Sequence, residues 1–274
     1  MANEQMAMIR DAAEFVRKRW PHTPEAGIIL GTGLGDLGEE IAADAVIPYE
    51  EIPYFPRTSV ESHKGELVLG RLSGRRVAVM RGRIHYYEGY TMKQVAFPVR
   101  VFRALGAERL IVTNAVGGMN PLFALGDIVA VTDHINLMGD NPLVGPNEDG
   151  LGPRFPDMSE PYDAKLLALA ERVALDEKLP LRRGVFVAVA GPNLETRAEY
   201  RFLRMIGGDV VGMSLIPESL AAVHGGMKVL AFSVVTDMGL PDALEPADIQ
   251  KILKAAAEAA PKLTRLLAGV VKEM

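Results

Sequence analysis

Apolar and polar positions along this chain alternate between short aliphatic runs and stretches with helical spacing. Ile9, Ala12, Ala13, Val16 and Trp20 share one face of an opening helix that Pro21 stops. Ala26–Leu30 is a continuous apolar strand that runs into Gly31-Thr-Gly-Leu-Gly35, and a short helix is expected from Leu34 to about Ile41. Glu66–Leu72 and Val77–Met80, joined across Ser73-Gly74, read as a hairpin. Thr91 can cap a helix that Gly106 closes, with Pro98 predicting a kink. Strands are expected near Arg109–Thr113 and Asp127–Thr132, followed by a long Gly/Pro/Asn/Asp-rich loop from Asn136 to about Tyr162. Then come a helix from Asp163 to about Glu177, a strand Gly184–Ala190 and a helix opened by the capping box Thr196–Glu199. Asp209–Gly212 and Lys228–Val235 read as strands around a helix from about Pro217 to His224. A last helix is expected from Pro246, bent at Pro261.

Strands alternating with helices predict an α/β fold: a single domain, residues 1–274, with a mixed twisted central sheet flanked by helices. Composition narrows the function classes. Nearly half of the 274 residues are apolar and few are aromatic, as an aliphatic sheet interior requires. The net charge of −5 disfavours a nucleic-acid surface. With no cysteine, disulfides, thiolate nucleophiles and Cys-based zinc sites are excluded. The polar start Met1-Ala-Asn-Glu-Gln and the lack of a bilayer-length apolar run lead to the expectation of a cytoplasmic protein without membrane contact.

The chemistry-bearing residues gather at strand ends, where open α/β sheets bind ligands. Gly31-Thr-Gly-Leu-Gly35 reads either as a tight strand-to-helix turn or as an anion turn in which Thr32 stands at a helix N-terminus. The turn also admits a nucleotide-binding Rossmann-like module as a competing reading, which its G-x-G-x-G spacing disfavours by departing from the dinucleotide fingerprint. Arg83 and His85, two apart on an extended segment, point to one face, and Tyr87 continues that face if the extension persists. His63 reads as a surface histidine or as a phosphate donor from a loop. The two glycines after Asn114 predict a sharp turn that aims backbone N–H groups inward. Glu195, just before a capped helix, is either a helix-dipole partner or an acceptor for heterocycle N–H groups. Asp237 stands at another strand end as a cap or a proton-transfer group. Met213 beside Ser214 is either core or ligand contact. His22, His134 and His224 share no metal-ligand spacing, so no metal is expected.

Taken in order, these segments resemble the trimeric purine nucleoside phosphorylases, a family that also contains the methylthioadenosine phosphorylases. The resemblance runs from about Ile9 to Leu253. It rests on Gly31-Thr-Gly-Leu-Gly35, Phe55-Pro-Arg57 with His63, Gly82–Tyr90, Asn114–Gly118, Arg154-Phe-Pro156, Ala190–Thr196 and Val211–Ser214. It implies the nucleoside phosphorylase fold and the reversible phosphorolysis of purine (deoxy)ribonucleosides. Inorganic phosphate is then a co-substrate, and no metal or organic cofactor is implied. The same resemblance implies that Thr32, His63, Arg83, His85, the Ala115 backbone and Ser214 hold phosphate. Tyr87 and Met213 would flank the sugar, and Phe155 would reach into the neighbouring subunit of a homotrimer. Val116, Leu194, Glu195 and Asp237 would face the base, with His85, Glu195 and Asp237 carrying the catalysis. Asp237 stands where members specific for 6-oxopurines have asparagine, whereas Glu195 matches them and disfavours a methylthioadenosine phosphorylase.

Overall fold

The computed structural model describes residues 2–31, 40–60 and 63–274. Its elements are α1 (Ala2–Arg19), β1 (Ala26–Leu30), β2 (Ala42–Pro48), β3 (Glu66–Leu72), β4 (Arg75–Arg81), α2 (Met92–Leu105), β5 (Arg109–Gly118) and β6 (Ile128–Asn136). Then follow α3 (Ala164–Asp176), β7 (Leu181–Ala188), α4 (Arg197–Met205), β8 (Val210–Gly212), α5 (Ile216–His224), β9 (Lys228–Met238) and α6 (Ile249–Glu273). Among the described residues, nine strands join one mixed sheet in the order β2-β3-β4-β1-β5-β8-β7-β6-β9. Because β9 also pairs with β5, the last five strands close on themselves while β1 to β4 form an open wing.

Local chemistry explains most of these elements. Every residue of β1 is buried, as befits a strand paired on both sides, parallel to β4 and to β5. Ser73 and Gly74 both take positive φ, the backbone that a two-residue hairpin turn requires, so β3 and β4 pair antiparallel. Thr91 and Gln94 form a capping box on α2, and Gly106 closes that helix in the left-handed conformation. Thr196 and Glu199 do the same at the start of α4. One main apolar cluster runs from α1 through the sheet to α6, while helices pack as the groups α1–α2–α5 and α3–α6.

Several expectations change. β2 is an edge strand whose side chains are mostly exposed, so it lacks the apolar signal of the other strands. Helix α6 begins at Ile249 rather than at Pro246, because Asp248 supplies the N-cap by accepting from the Gln250 N–H at 2.9 Å. Pro98 and Pro261 sit inside helices that continue past them. The glycines after Asn114 make no turn. β5 runs on to Gly118 because β9 pairs with it along its length, with a register shift at Val116/Gly117. The short helix expected from Leu34 lies largely outside the described residues, and Ile41 at its end is not helical.

Candidate active site

The carboxyl ends of the parallel strands β1, β4, β5 and β9 meet the loops after β7 and β8 around a cleft of about 330 Å³. Its lining includes Arg83, His85, Tyr87, Ala115, Val116, Leu194, Glu195, Met213, Ser214 and Asp237. Ten residues singled out from sequence thus converge on one concavity. Thr32 lies outside the described residues, although Gly31 before it lines the cleft. A Cβ at Gly31 would fall 2.7 Å from the Thr113 carbonyl oxygen and the Asn114 Cα, so only glycine lets β1 and β5 approach this closely.

One end of the cleft is cationic. The Arg83 guanidinium is buried and donates from Nη1 to Ser214 Oγ at 2.8 Å. Its Nε lies 3.3 Å from Glu218 Oε1, while its buried Nη2 has no hydrogen-bond partner among the described residues. Burial lowers the Arg83 pKa, and the Glu218 carboxylate works against that. Ser214 is aimed by strain. Leu215 adopts φ 74° and ψ −48°, and the Ile216 N–H returns to the Ser214 carbonyl at 2.9 Å, closing a positive-φ γ-turn.

Two imidazoles complete that end. Arg83 and His85 do not lie on a strand, since β4 ends at Arg81, and Tyr87 falls in a 3-10 turn over Tyr86–Glu88. The expected extended face therefore stops at His85. Stacking replaces it: the His85 ring lies 4.6 Å from that of Tyr87 and 5.2 Å from that of His63. The Arg83 backbone holds His63, whose Nδ1 is 2.8 Å from the carbonyl oxygen and 3.0 Å from the amide nitrogen. His63 does not line the cleft directly. Burial pushes its pKa down to about 4 and also lowers that of His85.

Glu88 orients His85 and was not singled out by the sequence reading. Its Oε1 lies 2.9 Å from His85 Nδ1 and accepts from the His85 N–H at 2.8 Å. Its Oε2 accepts from both the N–H and the hydroxyl of Ser59. Burial works to raise the Glu88 pKa, yet these hydrogen bonds win and hold it near about 2. With Nδ1 committed to a carboxylate, Nε2 is the ring nitrogen left to face a ligand. The signal was available in the i, i+3 spacing of His85 and Glu88. No local signal marks Glu218; Asn114 stands in a marked strand-end segment without an expected role, and its Nδ2 donates to Ser214 Oγ at 3.4 Å.

Two carboxylates occupy the other end. Burial raises the pKa of both Glu195 and Asp237. A hydrogen bond from Tyr200 opposes the shift at Glu195, and the hydroxyl of Thr236, 3.2 Å from Asp237 Oδ1, opposes it at Asp237. Gly117 faces Asp237: a Cβ there would stand 3.4 Å from Asp237 Oδ2, in ordinary contact. Leu194, Ile249 and Ile252 supply apolar wall. Phe155 is not in the cleft: its ring is 85% exposed on the long loop. His22, His134 and His224 also lie elsewhere, and His134 Nδ1 meets the Tyr162 hydroxyl at 3.1 Å.

The model of the Phosphorylase superfamily matches residues 25–272. Purine nucleoside phosphorylase 1 of Bacillus subtilis is 48% identical over 265 residues, covering 97% of this chain and 98% of its own. The rat purine nucleoside phosphorylase is 44% identical, covering 96% of this chain and 93% of its own. The chain belongs to the purine nucleoside phosphorylase family. A Schistosoma mansoni purine nucleoside phosphorylase solved with inosine superposes on it with a TM-score of 0.93 at 41% identity, covering 98% of this chain and 96% of that one. A structure of Schistosoma mansoni purine nucleoside phosphorylase with adenosine aligns with a TM-score of 0.92 at 41% identity, covering 97% of this chain and 96% of that one. Coverage this complete makes the architecture a purine nucleoside phosphorylase fold throughout and sets aside a Rossmann-like module. Among the described residues no helix is long and apolar enough to cross a membrane.

Proposed function

We propose that this chain catalyses the reversible phosphorolysis of purine nucleosides, giving free base and pentose 1-phosphate. The observation that carries the reading is the buried Arg83, whose Nη2 has no partner among the described residues at the cationic end of the cleft. An oxyanion placed there would satisfy it with a charge-assisted bond. In this reading phosphate is a co-substrate held by Thr32, His63, Arg83, His85, the Ala115 backbone and Ser214. His85 Nε2 accepts a phosphate O–H when neutral and donates once protonated.

The purine lies at the carboxylate end against Val116 and Leu194, and the sugar between them beside Tyr87 and Met213. As the N9–C1′ bond breaks, positive charge grows on the sugar and negative charge on the purine. The phosphate anion stabilises the first before it attacks C1′. Glu195 accepts from ring N–H and amino groups. A neutral Asp237 donates toward N7 and a 6-carbonyl, and an ionised Asp237 accepts from a 6-amino group. We therefore assign the site broad purine specificity, with 6-oxopurine nucleosides as the principal substrates and adenosine as an additional one.

The exposed Phe155 suits a ring that completes a neighbouring subunit's sugar site, so the active form in this reading is a homotrimer, and we assign it to the cytoplasm. Inosine, guanosine and adenosine should each release free base only when phosphate is added, as chromatography of the products would show. Base release that ignores phosphate would refute the assignment.

A further inference from the structure

The cleft does not end at its two carboxylates. A second chamber of about 470 Å³ opens beyond them and shares Leu194, Glu195, Thr236, Asp237 and Ile252 with the first. Leu125, Met238, Leu244 and Pro246 give this chamber an apolar wall. That wall is tethered to α4. Arg197 donates to the Pro241 carbonyl at 2.8 Å and to the Leu244 carbonyl at 3.0 Å, and Arg201 pairs with Asp242 at 2.9 Å.

Purine geometry relates this chamber to a substrate. The sugar is attached at N9, and the exocyclic group on C6 projects from the far ring, away from the sugar. With phosphate at Arg83 and the base at Glu195 and Asp237, a group on C6 points past the carboxylates. We infer that the site accepts purine nucleosides carrying an extended apolar group at C6, such as N6-alkyl or N6-aryl adenosines, with that group lodged in the second chamber. The inference rests on the phosphorolysis reading above. The reaction is unchanged: N9–C1′ breaks with its bonding pair going to the base, a phosphate oxygen bonds to C1′, and the proton that the hydrogen phosphate gives up ends on the departing purine by way of solvent. An ionised Asp237 accepts the remaining N6–H, and the apolar wall takes the group out of water.

The experiment compares inosine, adenosine and N6-benzyladenosine at saturating phosphate, using the wild type, Ala243→Trp and Ala247→Trp. Both alanines line the second chamber and neither lines the first. The wild type should cleave N6-benzyladenosine with a kcat/KM within about tenfold of that for adenosine. Each tryptophan should cut that value by about tenfold or more while leaving inosine and adenosine within about twofold. An inert N6-benzyladenosine beside active inosine overturns the inference, as does an equal loss on all three substrates in both variants. Cleavage of N2-benzylguanosine in place of N6-benzyladenosine would assign the chamber to C2 and also overturn it. Failure to cleave inosine at all would instead refute the phosphorolysis reading.

Discussion

Arg83 Nε lies 3.3 Å from Glu218 Oε1, and each side chain is only 2% exposed. This buried ion pair sits directly beneath the cationic end of the cleft. Removing one partner of such a pair strands the other charge in a low dielectric, at a cost of about 3–5 kcal/mol. Glu218→Ala should therefore lower the melting temperature and raise the phosphate KM, because the guanidinium loses the group that holds it. Arg83→Ala should weaken phosphate saturation by about 1.5–3 kcal/mol, the worth of a charge-assisted contact. Thermal melts and phosphate titrations check both; an unchanged phosphate KM in either variant contradicts the assigned geometry.

Glu88 predicts a pH dependence of stability. Its folded pKa of about 2 lies below the ordinary 4.5 of a glutamate, held there by His85 and Ser59 against the effect of burial. A depressed carboxyl pKa stabilises the fold above the unfolded value and loses that contribution as pH falls through the folded one. Between about pH 4.5 and 2 the wild type should lose stability more steeply than Glu88→Gln, which has no carboxylate to protonate. Denaturation midpoints across that range test it. The same variant should raise the phosphate KM, since its amide offers one acceptor oxygen where the carboxylate offers two and so cannot hold both His85 and Ser59.

Asp237 predicts substrate ranking. Burial raises its pKa, so the neutral form persists to higher pH than for an exposed aspartate and is lost as pH rises. The kcat/KM for inosine should fall with rising pH in the wild type, whereas Asp237→Asn should lack that limb. Asparagine donates to a 6-carbonyl through its amide and meets a 6-amino group only with a neutral oxygen, a weaker acceptor than a carboxylate, so adenosine activity should fall relative to inosine. Steady-state kinetics with both substrates decide the matter. An equal change in the two activities, or no change, removes Asp237 from base selection.

Phe155 predicts a split between folding and function. With its ring 85% exposed it contributes little to the core of its own chain. Phe155→Ala should leave the secondary structure of the chain unchanged, as circular dichroism would show, and raise the nucleoside KM more than the phosphate KM. Light scattering should give the mass of three chains for the wild type. A monomer with full activity contradicts the proposed assembly.

Legibility followed the range of the interactions. Helix caps at Thr91 and Thr196 and the Ser73-Gly74 turn depend on neighbours a few residues apart, and they could be read directly from sequence. The tails of β5 and β9 could not. Gly117-Gly118 and Thr236–Met238 are extended because each strand pairs with the other, a partnership no local pattern records. The polar types at strand ends were legible because ligand chemistry restricts them. How they are held was less so: Ser214 reaches Arg83 across 131 positions of sequence. The edge strand β2 went unread because sheet pairing rather than apolar burial defines it.

The central claim is that the Arg83 end of the cleft delivers phosphate to C1′. Phosphorus NMR of a reaction with inosine tests it most directly. The account predicts that inorganic phosphate disappears and a pentose 1-phosphate appears, one for each hypoxanthine released. Hypoxanthine accumulating with free ribose while the phosphate signal stays constant would contradict it.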